Sequence, residues 1–133
     1  QDIVEKKLDN FDSVYDKLQA LFEWKLSFLK EHRDMARLLL ADQLPVTEEI
    51  RIWFQEKERE NLRRLAQLLE SGAQRSEIRE LNYDQAAQVV FGTLMIAGRQ
   101  LVFGDEPLDQ QKVVENIMDI LKNGLVPGTW GNR

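Results

Sequence analysis

The side chains able to do chemistry are few in this chain, and what is missing decides as much as what is present. There is no cysteine and one histidine, His32. Thiol nucleophiles, thiolate metal sites and disulfides are thereby excluded. A carboxylate-bridged di-metal centre needs paired Glu-x-x-His motifs on facing helices, which one imidazole cannot supply. No HExxH zinc motif, phosphate-cradling glycine loop, GxSxG elbow or Ser/His/Asp order occurs. The sequence therefore predicts no enzyme, no metal and no cofactor.

What remains is a set of polar groups that interrupt apolar faces. At about 100° per residue, Lys25 falls near the centre of the arc defined by Val14, Leu18, Leu21, Phe28 and Leu29. A buried, unpaired ammonium is costly there. Either its stem packs while the charge snorkels to water or to a carboxylate, or the face lines a cavity and Lys25 offers its charge to a ligand. Lys57 and Asn61 interrupt the stripe Ile50, Phe54, Leu65, Leu68 in the same way, as a solvated middle or as cavity groups. Arg99, in line with Gln88 and Met95, reads as a rim residue or an anion ligand, and His32 as a partner of the last-turn carbonyls of the helix it follows or as a gate at a pocket entrance. One small-molecule pocket explains these interruptions together. Its candidate lining adds Trp24, Phe28, Met35 and Leu39 to Lys25, then Trp53 and Phe54 to Lys57 and Asn61, and finally Phe91 and Met95. The competing account of the aromatic and methionine members is plain core.

Helices must position these groups. Apolar residues recur at three- and four-residue spacing, and no strand-like alternation of useful length is found. The first helix runs from about Asp12 to Glu31, capped by Asp12 or Ser13. A short one, Asp34 to Ala41, closes at "DQLP" before Pro45. Thr47 caps a long helix that Gly72 ends as a C-terminal stop. Asn82 caps the next, to about Phe103, and Asp109 caps the last, which Gly124 ends. This is an all-α domain of about five helices plus an N-terminal helix remnant. Residues 126–133 form an irregular tail from which Trp130 is expected to dock.

At 133 residues and 15.6 kDa the chain is one domain long. Its net charge of −5 and pI near 5.0 disfavour direct attraction to nucleic acid or anionic lipid. No apolar run reaches the roughly 20 residues of a membrane span and no signal peptide opens the chain, so a cytoplasmic protein without membrane contact is expected.

The segment "AAQVVFGTLMIAGRQLVF", residues 86 to 103, carries no charge from Val89 to Gly98. Apolar residues over most of a helix imply burial on more than one side. Gly92, Ala97 and Gly98 permit close helix approach, each glycine at a cost of about 1 kcal/mol in helix propensity. One side is expected to face the domain core and the other a second copy. The expected seam comprises Ala87, Val90, Leu94, Ala97, Gly98 and Leu101, with Val113, Val114, Ile117, Met118 and Leu121 from the last helix. Two helices from each chain would form a two-fold four-helix bundle. The alternative is the central helix of a monomer.

"LLESGAQRSEIRELNYDQAAQVVFGTLMIAGRQLVF" followed by "VVENIMDILKNGL" resembles the C-terminal half of the tetracycline-repressor (TetR) family of bacterial transcriptional regulators. The corresponding features are Gly72 near the end of a long helix, the connection "SEIRE", paired Ala86 and Ala87, central Gly92, and the terminal Gly124 and Leu125. The resemblance implies a ligand-binding and homodimerisation domain over residues 1–125. Residues 1–10 would end a helix connecting it to an N-terminal helix-turn-helix domain absent from this chain. It further implies a small apolar or amphipathic effector, DNA contact only through that missing domain, and repression controlled by the effector. The rival class is an all-helical protein-interaction scaffold with no small-molecule site.

Overall fold

A computed structural model describes residues 8–40, 47–125 and 127, excluding the side chains of residues 39 and 40. Five α-helices and no strand occur among the described residues. The expectations for residues 1–7, Pro45, Trp130 and the Leu39 side chain lie outside the described residues.

Helix α1 (Val14–Glu31) starts where the Ser13 hydroxyl accepts the Asp16 amide at 3.1 Å. A second acceptor comes from far along the chain, as the Val14 N–H donates to Glu77 Oε2 at 3.0 Å. Val14, Leu18, Phe22 and Leu26, one turn apart, are at most 2% exposed and form the centre of the core. Helix α2 (Arg33–Leu40) follows after one residue and buries Ala36.

Helix α3 (Glu48–Gln74) is capped by Thr47, whose hydroxyl accepts the Ile50 amide at 3.3 Å. Its buried residues, Leu65, Ala66, Leu69 and Gly72, all lie in its C-terminal half. Gly72 does not stop it. A Cβ at position 72 would come within 3.0 Å of the Val14 Cβ, so this glycine serves a close crossing of α3 over α1. The helix runs on to Gln74 and ends where Ser76 adopts a positive φ of 60° and the Glu77 N–H bonds back to the Gly72 carbonyl at 2.9 Å.

Helix α4 (Tyr83–Phe103) starts at an Asn82 cap and packs on α1, α2 and α3. Helix α5 (Gln110–Asn123), capped by Asp109, also lies on α1, where the Gln110 amide donates to Ser27 Oγ at 2.9 Å. Gly124 ends α5 with φ 74°, a conformation glycine adopts without strain.

The seam expected of α4 and α5 needs correction. Ala87, Val90, Leu94, Ala97 and Gly98 are buried against the chain's own helices, as are Val114 and Met118. Leu101, Val113, Ile117 and Leu121 are half-buried on the same core. A Cβ at position 98 would meet Leu29 Cδ1 at 2.8 Å, so the glycine admits α1 and not a second chain. Facing outward instead are Val89 (64% exposed), Ile96 (61%) and Phe103 (45%). With Thr93 and Gln100 between them, these residues recur at alternating spacings of four and three, which is the pattern of a helix-packing seam. With apolar residues on both sides, α4 reaches a mean hydropathy of 1.4, so it has the length and composition of a membrane span, contrary to the expectation from apolar run length. Its inner row nevertheless packs on three helices of the chain.

Candidate ligand site

Two cavities lie side by side between α1, α3 and α4. The first, about 390 Å³, is walled by Lys17, Leu21, Trp24 and Lys25 of α1 and by Asn61, Arg64, Leu65, Gln67, Leu68 and Ser71 of α3. Leu8 and Asp9 border it, and Phe91 and Leu94 close it from α4. The second, about 610 Å³, takes Leu29 from α1 and Ala36 from α2. Trp53, Phe54, Lys57, Glu58 and Leu62 supply its α3 wall, and Gln88, Gly92 and Met95 its α4 wall. Asn61 and Phe91 belong to both cavities and stand as the partition between them.

The two chambers differ in charge. Among the described residues, Lys17, Lys25 and Arg64 line the first together with Asp9, whereas Lys57 and Glu58 offset each other in the second. The Lys25 ammonium sits 5.1 Å from the Trp24 ring centroid, a cation–π distance. Burial pushes its pKa below the ordinary lysine value, because the charged form loses hydration there. Arg64 is held to Glu60 at 2.8 Å, and Lys57 lies 3.9 Å from the same carboxylate and 5.7 Å from the Trp53 ring.

Of the residues expected in a pocket, the structure places Trp24 and Lys25 in the first chamber and Trp53, Phe54, Lys57 and Met95 in the second. Asn61 and Phe91 serve both. Phe28 and Met35 line neither and are 40% and 47% exposed. Phe28 stands about 200° round α1 from the buried Leu26 and stacks outward between Trp24 (5.8 Å) and His32 (4.5 Å). Arg99 is exposed and lines neither chamber. His32 is the C-cap of α1, its backbone N–H donating to the Phe28 carbonyl at 3.0 Å, and at the end of α4 the Nε groups of Arg33 and Arg37 donate to the Val102 carbonyl at 3.2 and 3.1 Å. Lys17 and Arg64 were not anticipated from the sequence. Lys17 lies on the Lys25 side of α1 eight residues earlier, and Arg64 one turn beyond Asn61, so following each polar line along its helix reaches both.

A family model described as "YsiA-like protein, C-terminal region" matches residues 2–124. The chain belongs to this TetR C-terminal family. Among solved structures it is similar to a Clostridium perfringens protein described as a fatty acid metabolism regulator, with a TM-score of 0.74 and 23% identity, covering 94% of this chain and 70% of that one. At that identity the likeness shows a shared fold. No curated protein matches the chain. The TetR-family domain is thus part of a transcriptional regulator and not an enzyme.

Proposed function

We propose that this TetR-family domain is the effector-sensing and homodimerising part of a cytoplasmic repressor, and that its effector has an elongated apolar body and an anionic head. The observation that carries this reading is the pair of abutting chambers with cationic groups, Lys17, Lys25 and Arg64, gathered in one of them. A carboxylate or a comparable anion at that end would give the desolvated Lys25 an anionic partner, while aliphatic groups displace water from the second chamber. The description of the structurally similar protein as a fatty acid metabolism regulator supports an acyl acid.

DNA contact belongs to a helix-turn-helix region preceding this one in the full regulator. Helix α4 supplies wall residues to both chambers and turns Val89, Ile96 and Phe103 outward. That outward stripe replaces the buried residues as the proposed dimer seam. An effector favouring one setting of α4 would then bias the dimer between arrangements whose DNA heads do and do not match major grooves about 34 Å apart.

Calorimetric titration with dodecanoate, compared with dodecanol, tests the effector class. Saturable dodecanoate binding, on the order of micromolar and stronger than dodecanol binding, is the expected outcome. Equal binding of both would remove the anionic head from the proposal. No binding of either would favour the scaffold without a small-molecule site.

A further inference from the structure

The buried and lining glycines of the helices do different things. At Gly72 and Gly98 an added Cβ would stand 3.0 Å from Val14 and 2.8 Å from Leu29, so those positions are glycine because another helix lies against them. At Gly92 an added Cβ meets no atom of the described residues within 4 Å. Close packing among the described residues therefore gives no reason for a residue that weakens a helix interior relative to alanine. Gly92 lines the 610 Å³ chamber together with Gln88, Phe91 and Met95 of the same helix.

We infer that Gly92 is a specificity-determining residue: its missing side chain keeps the second chamber deep, and so sets the longest aliphatic acid the domain accepts. This rests on the proposed effector class. The head lies among Lys17, Lys25 and Arg64, and the chain passes the Asn61–Phe91 partition into the second chamber. The first chamber is smaller, about 390 Å³, and suffices for the head and the first methylenes of a short acid. Only a longer chain reaches position 92. A side chain grown there removes room from the far end of the site without touching the cationic end.

The test measures dissociation constants of octanoate, dodecanoate and palmitate by calorimetry for the native chain, Gly92→Ala and Gly92→Leu, with melting temperatures and sedimentation for each. Gly92→Leu should leave octanoate within about twofold and weaken palmitate about tenfold or more, the scale of losing one or two methylenes from an apolar pocket. Gly92→Ala should fall between. Neither ligand-free variant should melt below the native chain, since the space is open and both residues are better helix formers.

An unchanged length profile in both variants overturns the inference, and so does an equal loss for all three acids. A variant that melts lower overturns it by showing that the space is not open. A Gly92→Leu chain that turns monomeric while keeping the native length profile assigns the glycine to the dimer seam instead. If the native chain binds none of the acids, the proposed effector class fails first and this inference falls with it.

Discussion

Lys25 shows how one side chain can be a liability without ligand and an asset with it. It is half-buried, and desolvation lowers its pKa from 10.5, so the native state holds its proton less tightly than the unfolded chain does. Between the lowered pKa and 10.5 the unfolded chain binds more protons, and stability rises with pH through that window. The contribution is complete above 10.5 and lost as pH falls through the folded value. Lys25→Met should therefore stabilise the ligand-free chain at pH 7 and flatten the rise of stability towards pH 10, as measured by urea denaturation at both pH values. The same variant should bind dodecanoate roughly ten- to a hundredfold more weakly, the scale of a lost charge-assisted hydrogen bond. A variant less stable without ligand and unaltered in acid binding would show that Lys25 is a packing residue with its charge in water.

At the scale of elements, helix starts were legible in the sequence and the glycines were not. Ser13, Thr47, Asn82 and Asp109 each accept the amide three residues on. Such a cap is closed by residues within one turn, so local sequence suffices to find it. Whether a glycine stops a helix or admits another helix depends on what lies across from it, and Gly72 faces Val14 from 58 positions along the chain. The same holds for α4. Both its faces are apolar, and periodicity alone cannot say that the row with Ala87, Ala97 and Gly98 turns inward while Val89 and Ile96 turn outward. Small residues let α1 approach, and that decides the orientation. Pocket residues near the middle of a polar line, such as Lys25 and Asn61, were visible, whereas Phe28 was misplaced because the apolar arc of α1 is wider than its buried stripe. Since Gly72 packs, the stop of α3 falls to Ser76 at φ 60°, a conformation costly for any residue with a Cβ. Ser76→Gly should stabilise the chain by roughly 0.5–1 kcal/mol in denaturant unfolding. A loss of stability would mean that the Ser76 side chain contributes more than its backbone costs.

For the whole molecule, helix α4 joins a chamber to an outward apolar stripe, and the assignment of its two sides can be separated by substitution. Leu94 is 7% exposed and belongs to the chain's own core, so Leu94→Ala should cost about 2–5 kcal/mol of stability. Ile96, two residues on, is 61% exposed. A charge at position 96 should leave the single chain folded, because a surface site free of caps and ion pairs changes stability by only about 0.5 kcal/mol. If the stripe Val89, Ile96, Phe103 is covered by its own copy, two-fold symmetry sets the residues of one chain against the same stripe of the other. Ile96→Glu then places a carboxylate from each chain in one desolvated strip and should weaken dimerisation far more than it affects the fold. Sedimentation equilibrium at micromolar concentration should give a dimer for the native chain and a monomer with native helical circular dichroism for Ile96→Glu. A native chain that is monomeric, or an Ile96→Glu chain that remains dimeric, would move the interface off this face of α4. In that case an effector in the chambers would have no direct path through α4 to the spacing of the DNA heads.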